Sequence, residues 1–232
     1  MLPFFGRKFF PKTAVINMDD EHAEFFLSIP VERTYGYTLK DKHLCELIAN
    51  ECRMVVGDRV QFFHQNISSS RAEFLIGNVP FLLSLFGGEH HVANALAAST
   101  TALAAGVNLA SAAIALTKIT SIPGRLERIE EGQNFEVIVD YAFEPKAMNA
   151  LYTAIESLSE KPHHIIHVAG GTGGGRDKAR RGIIGEMIGN RADYFFVTNE
   201  DPYDEDPQKI ISEVATGAKK IGFSFCTFCI SW

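Results

Sequence analysis

Val139-Asp140-Tyr141-Ala142 and Gly170-Gly171-Thr172-Gly173-Gly174-Gly175-Arg176-Asp177 each close an apolar run, and each precedes a helical pattern. The runs before them, Phe135 to Asp140 and His164 to Ala169, are short and rich in Val and Ile, and read as buried strands. Around them the order is strand (Leu126 to Glu130), strand (Phe135 to Asp140), helix (Pro145 to Leu158) and strand (His164 to Ala169). Helix (Lys178 to Asn190), strand (Tyr194 to Thr198) and helix (Pro207 to Ala218) follow. Strands alternating with helices predict parallel βαβ units, so the fold class is α/β with a mostly parallel sheet. In open sheets of this kind ligands bind at the carboxyl ends of the strands, where loop amides and helix N-termini point.

Upstream, Ser121-Ile122-Pro123-Gly124 is the clearest break, because Pro and Gly together end a helical pattern. It predicts a junction between one domain over residues 1–121 and another over 122–232. In the first half, Thr13 to Asn17 reads as a strand, and Asp19-Asp20 as a turn that caps a helix over residues 20–28. Strands are expected at Val31 to Tyr37, Arg59 to Ile67, Arg71 to Ile76 and Val79 to Leu85, with a two-residue hairpin turn at Gly77-Asn78. The Ala-rich stretch His90 to Ala105 predicts a buried helix stopped by Gly106, and Asn108 caps another that runs through Lys118.

The 232 residues are 46% hydrophobic and 22% charged, a composition able to bury a core in two domains. A net charge of −6 offers no basic field, which argues against nucleic acid or an anionic membrane as partner. No apolar run approaches the ~18 residues of a spanning helix. The start, MLPFFGRKFFPK, lacks the continuous apolar stretch of a signal peptide, so a cytoplasmic protein is expected. Cys226 and Cys229 form a C-x-x-C inside the apolar tail GFSFCTFCISW. They read as small buried hydrophobes, with a redox pair or half a zinc site as the alternative. His163, His164 and His167 straddle a strand without a partner carboxylate at ligand spacing, so no metal site is assigned.

The glycine run has G-x-x-x-x-G spacing, but Arg176 and Asp177 stand where a P-loop needs Lys and Ser/Thr. It is therefore no triphosphate cradle, and it does not satisfy G-x-G-x-x-G. An anion held by loop amides beside Arg176, Lys178, Arg180 and Arg181 is one reading; a tight turn with a solvated basic face is the other. Asp140 is either a ligand group at a strand end or a helix cap. Arg125 either meets a ligand or makes a salt bridge to Glu127 or Asp140. Glu200, Asp201, Asp204 and Glu205 make the loop Thr198 to Pro207 acidic, either as a binding loop or as a solvated, helix-capping one.

Together, Pro123-Gly124-Arg125, Asp140-Tyr141-Ala142, Gly170 to Asp177 and Asn94 within His90-His91-Val92-Ala93-Asn94-Ala95 resemble the Mur ligases. These are ATP-dependent amide-forming enzymes of peptidoglycan precursor synthesis, and the resemblance is to the UDP-N-acetylmuramoyl-tripeptide synthetase type. It implies the remainder of the central ATP-binding domain followed by a Rossmann-like C-terminal ligase domain. It also implies ATP and Mg²⁺ as cofactors, and a UDP-muramoyl peptide and an amino acid as substrates. Cofactor-binding roles fall on Asn94 for the adenine, Arg125 for the nucleotide and Asp140 for the ribose. Substrate-binding roles fall on Arg176, Asp177, Glu200, Asp201 and Tyr203. Phe143 and His91 depart from the family pattern, which has His and Asn there. Tyr203 stands where enzymes that take meso-diaminopimelate carry an Arg for the distal carboxylate. An acidic loop with that substitution suits a distal ammonium, such as that of lysine.

The resemblance spans roughly residues 11–220 and omits the family's P-loop, its metal-binding Glu and His, its carbamylated Lys and its final G-K-G-H-E stretch. In the family the substrate carboxylate becomes an acyl phosphate that the amine attacks, which needs cationic stabilisation of the transferring phosphoryl group. The expectation is therefore a ligase fragment, inactive alone, with no catalytic residue of its own and a separate P-loop half as partner. A non-catalytic nucleotide- or amino-acid-binding α/β protein is the alternative.

Overall fold

The computed structural model describes residues 11–39, 52–63, 70–158 and 164–222. His163, Cys226 and Cys229 lie outside the described residues, as does the end of the strand expected at Arg59 to Ile67. The chain divides into two compact units, with Ile122 in the first and Pro123 in the second.

The first unit is a five-stranded mixed sheet with helices. Its elements are β1 (Thr13–Asn17), α1 (Ala23–Leu27), β2 (Arg33–Thr38), β3 (Cys52–Phe63), β4 (Arg71–Ile76) and β5 (Val79–Leu83). The helices α2 (Glu89–Ala104) and α3 (Leu109–Leu116) complete it. The sheet order is β1-β2-β3-β4-β5. β1, β2 and β3 run parallel, with Thr13 opposite Arg33 and Thr34 opposite Cys52. β3 then pairs antiparallel with β4, after a register shift between Asp58 and Gln61. This double pairing is why the strand starts at Cys52, ahead of the expected Arg59. The β4–β5 hairpin turns on Gly77-Asn78, with Gly77 at φ +59 and Ile76 opposite Val79. Positive φ at the first central residue is the II′ pattern that suits twisted strands.

On α2, Val92, Ala95, Leu96, Ser99 and Thr100 are buried, the spacing of one helical face. That face packs on Val55, Phe74, Ile76, Phe81 and Leu83 of the sheet, and the Phe74 and Phe81 rings stack at 5.3 Å. Gly106 at φ +92 follows α2, and the Asn108 side chain caps α3 by accepting from the Ser111 amide. α1 is shorter than the expected 20–28; of the Asp19-Asp20 pair, Asp20 accepts from the His22 amide at 2.9 Å just ahead of the helix, and Asp19 faces elsewhere. The Asp19 carboxylate instead accepts from the Thr38 hydroxyl and, at 2.8 Å, from the Leu39 amide, tying the end of β1 to the end of β2.

The second unit opens on an antiparallel pair, β6 (Glu127–Ile129) and β7 (Val137–Val139). Then come α4 (Pro145–Glu156), β8 (Ile166–Ala169), α5 (Ala179–Gly189), β9 (Tyr194–Val197) and α6 (Pro207–Lys220). β8 and β9 pair in parallel, Ile166 opposite Tyr194 and Ala169 opposite Val197. Pro at the start of α4 and α6 and the Asp206 cap of α6 fit the preferences of helix N-termini. Met148, Tyr152, Ile184, Ile188, Phe195, Val197 and Val214 form the core. Within it the Tyr152 hydroxyl lies 2.8 Å from His167 Nδ1, and burial lowers the His167 pKa to about 4.

α5 and α6 touch backbone to backbone. A Cβ at Gly185 would stand 1.9 Å from the Val214 carbonyl oxygen, and one at Gly217 would stand 1.9 Å from that of Gly182. Neither carbonyl can move without breaking its helix. Gly185→Ala is therefore expected to force the helices apart and destabilise this unit by ~1–3 kcal/mol, the usual range for overpacking. Urea unfolding of the variant measures it; an unchanged midpoint would contradict the contact.

Candidate functional site

Parallel neighbours bring the carboxyl ends of β8 and β9 side by side, and the loops that follow meet there. The Thr198 amide donates to the Ala169 carbonyl at 3.0 Å, and the Gly173 amide to the Asp201 carbonyl at 2.8 Å. A side chain at 170 would meet the Thr198 carbonyl at 2.7 Å, and one at 173 would meet the Pro202 carbonyl at 1.9 Å. Glycine is required at 173 because another backbone fills the place of Cβ. Gly174 and Gly175, at φ +70 and +73, adopt the left-handed region that L side chains avoid. Tyr203 adopts it too, at φ +52, with its ring against Gly174.

Beneath the loops lies Arg181, of which only 2% is exposed. Both its terminal nitrogens reach Glu205 at 3.2 Å; Nη1 also donates to Glu213 at 2.6 Å and Nη2 to the Thr172 carbonyl at 2.7 Å. Glu205 further receives Lys178 Nζ at 2.9 Å and the Gly175 amide at 3.4 Å. Hydrogen bonds from Arg181, then from Lys178, lower the Glu205 pKa to about 2. Burial opposes the charge on Arg181, but hydrogen bonds to Glu205 and Glu213 outweigh it and raise its pKa. From sequence, Arg181 was only one of several nearby cations. The signal for more was present: Arg181 falls in phase with Ile184, Gly185 and Ile188 on the buried face of α5.

The expected substrate residues gather at this loop pair, in differing states. Arg176 is exposed and makes no hydrogen bond or ion pair among the described residues. The Asp177 carboxylate accepts from the Ala179 amide at 2.9 Å, at the start of α5. Glu200 accepts from the Thr172 hydroxyl at 3.3 Å, whereas the Asp201 carboxylate is exposed and unpaired among the described residues. Tyr203 is 62% exposed. Of the basic cluster, Lys178 and Arg181 are held by Glu205, while Arg180 pairs with Glu144 and lies over the Phe143 ring at 4.9 Å. The Gly173 and Gly175 amides are engaged as well. An anion held by the loop amides therefore has little left to grip, and the outer face of the loop pair is acidic, with Arg176 at its side.

Asp140 and Arg125 both lie at one end of the β6–β7 pair, Arg125 before β6 and Asp140 after β7. Asp140 caps no helix: its Oδ2 accepts from the Leu126 amide at 2.7 Å. The Tyr141 amide donates to the Gly124 carbonyl at 2.9 Å, and Glu127 accepts from the Gly124 amide at 2.7 Å. These bonds hold a turn in which Gly124 and buried Leu126 both have positive φ, +66 and +48. Arg125 makes no salt bridge to Glu127 or Asp140. It is exposed, with its guanidinium 5.4 Å from the centre of the Tyr141 ring. Such a turn costs roughly 1–2 kcal/mol at the non-glycine position, and the Asp140 carboxylate is what sustains it.

In the first unit, a cavity of about 300 Å³ lies at the end of β1, lined by Asn17, Asp19, Asp20, Leu39, Glu89, His90 and Ala93. Three carboxylates there repel phosphate and favour a ligand that donates hydrogen bonds. Asn94 follows on α2, exposed and uninvolved in capping, since the N-cap is Gly88. His91 is packed so closely that a Cβ at Gly87 would stand 1.9 Å from its ring, and its Nε2 is buried without a partner among the described residues. Burial, with the neighbouring His90 charge, lowers its pKa to about 4. Among the described residues no three His, Cys, Asp or Glu side chains are placed to hold a metal, and no helix is long and apolar enough to cross a membrane.

Residues 124–227 match the family model described as Mur ligase, glutamate ligase domain. Over 219 residues the chain is 36% identical to a UDP-N-acetylmuramyl-tripeptide synthetase of Roseiflexus sp. (strain RS-1), covering 94% of this chain and 40% of that protein. It is 30% identical over 207 residues to a UDP-N-acetylmuramoyl-L-alanyl-D-glutamate--2,6-diaminopimelate ligase of Geobacillus kaustophilus (strain HTA426), covering 89% and 39%. The chain thus spans about 40% of the length of the curated relatives it matches. Among solved structures, the Mycobacterium tuberculosis folylpolyglutamate synthase complexed with ADP and AMPPCP matches with a TM-score of 0.59. It is 18% identical and covers 93% of this chain and 54% of that one, a likeness of fold.

Acid should weaken both units over one range and the second unit over a further, lower one. His91 and His167 stay neutral in the folded protein down to about pH 4, against an ordinary 6.5. Their contribution is complete above 6.5 and is lost as pH falls towards 4, because the unfolded chain takes up the proton first. Glu205 contributes fully above its ordinary 4.5, and that contribution is lost as pH falls towards about 2. Urea midpoints measured at about pH 7.5, 5 and 3 should fall stepwise. The last step should be read by hydrogen exchange at Ile188 and Phe195 of the second unit's core, and a flat profile would contradict these environments.

Proposed function

We propose a function from one premise: the chain belongs to the Mur ligase family, with residues 124–227 as its glutamate ligase domain. The protein acts in an ATP-dependent ligase of peptidoglycan precursor synthesis that adds the third amino acid to a UDP-N-acetylmuramoyl dipeptide. Residues 1–121 are the remainder of the ATP-binding domain without its P-loop, and residues 122–232 are the ligase domain that receives the incoming amino acid. The observation that carries this reading is the loop pair at the ends of β8 and β9. It is locked backbone to backbone, and it presents Glu200, Asp201 and Tyr203 with Arg176 beside them.

The chain's own groups suit two ends of the reaction. On the amino-acid side, Arg176 meets the α-carboxylate, and the unpaired Asp201 with Glu200 meets a distal ammonium, which makes lysine the preferred acceptor over meso-diaminopimelate. Tyr203 supplies no charge for a distal carboxylate. On the adenosine side, Asn94 has both a donor and an acceptor for a purine edge. Asp140 keeps one carboxylate oxygen for a ribose hydroxyl while the other braces the turn that presents Arg125. When bound, ATP supplies the phosphoryl group that activates the substrate carboxylate. The described residues do not fit its metal: they offer no ligand set for Mg²⁺, and the sequence has no G-x-x-x-x-G-K-[ST]. No step is assigned to a metal in this chain, and ligation needs a phosphate-gripping segment besides these residues.

The test joins this chain to the segment of the Roseiflexus synthetase that it does not match, and follows ADP release with the UDP-muramoyl dipeptide. L-Lysine should give a kcat/KM about tenfold or more above that of meso-diaminopimelate, equivalent to ~1.4 kcal/mol in transition-state binding. The reverse order overturns the lysine assignment. No ADP release with either amino acid, in a folded fusion that still binds them, favours a binding protein without chemistry.

A further inference from the structure

We propose that Arg181 and Glu205 are positioning residues for amino-acid selection: their buried ion pair fixes the acidic loop against the glycine loop and keeps the loop's outer carboxylates uncompensated. This rests on the reading of that loop as the acceptor site. Arg181 is 2% exposed, and its fork spans three segments that sequence keeps apart: the Thr172 carbonyl, Glu205 of the acidic loop and Glu213 of α6. Its Nε has no acceptor among the described residues, so the charge is balanced entirely through the two terminal nitrogens. Buried ion pairs add little net stability, since desolvation offsets attraction, and their best-attested role is to fix register. Here the register is that of the Gly173 amide on the Asp201 carbonyl and of Pro202 over Gly173.

Charge balance gives the pair its second role. Arg181 and Lys178 face Glu205 and Glu213, two cations against two anions. Both cations are thereby held inside the cluster. Without the Glu205 charge, the flexible, half-exposed Lys178 is released close to the acidic loop and competes with a substrate ammonium for Asp201 and Glu200. Loss of the pair should therefore lower discrimination as well as order.

The experiment uses the full chain, Glu205→Gln and Arg181→Lys. Two readouts are taken: hydrogen exchange of the Gly173 amide relative to Ile188 and Phe195 in the core, and affinity for L-lysine relative to L-norleucine by calorimetric titration. Glu205→Gln should speed Gly173 exchange by about tenfold or more while the core amides hold, and should lower the lysine-to-norleucine ratio about tenfold. Arg181→Lys keeps the charge without the fork, and should speed Gly173 exchange with a smaller loss of the ratio. It carries the test alone if the Gln variant does not fold. Unchanged Gly173 exchange, or equal acceleration of Phe195, overturns the positioning role. So does a lysine preference that survives Glu205→Gln, and that result leaves the acceptor reading standing. A wild-type chain that binds neither amino acid overturns the acceptor reading, and selection with it, even if Gly173 exchange responds.

Discussion

The Pro202 carbonyl occupies the space where a side chain at position 173 would stand, and the second unit is arranged around that contact. Two parallel neighbours deliver their carboxyl ends side by side. Only glycine at 170 and 173 lets the second connection lie on the first. The same device recurs below, where Gly185 and Gly217 bring α5 and α6 into backbone contact. Arg181 is buried at that junction, bonded to Glu213 of α6 and to the Thr172 carbonyl of the loop above. The outer surface then carries what the interior does not neutralise: Asp201, Glu200 and Arg176.

A second constraint shapes the region around Asp140. A chain leaving Pro123-Gly124 must reverse into β6, and it does so through two residues with positive φ, one of them a leucine. Leucine tolerates that conformation here because its side chain is buried and its amide is met by a carboxylate from the neighbouring strand. Asp140 is thus a brace first, and its remaining oxygen is what a ligand can use. In the first unit Asp19 plays a parallel part, tying the ends of β1 and β2 beside the acidic cavity.

Much of the fold was legible because it is local. Val/Ile runs marked β7 and β8, the aromatic run Tyr194 to Phe196 marked β9, helical spacing and Gly106 marked α2, and Gly77-Asn78 marked the hairpin almost to the residue. The start of β3 was not, because its first residues owe their extension to pairing with β2 rather than to their own pattern. The site was legible as a pair of loops but not as a mechanism of assembly. Arg181 and Glu205 are separated by 24 positions, and Asp140 and Leu126 by 14, so no periodicity links them. Asp177, a candidate ligand group, also accepts from the Ala179 amide two residues on, a local bond that its position in the glycine loop did not announce. A cation in phase with a buried helical face was the one sign that pointed to the clamp.

Backbone chemical-shift mapping of the isotopically labelled chain during titration with L-lysine decides whether the paired strand-end loops form an amino-acid site. Saturable shifts are expected at Gly171 to Asp177 and Glu200 to Tyr203, with Glu127 to Ile129 of β6 unmoved. Shifts spread evenly over the surface, or none at the two loops, would contradict it.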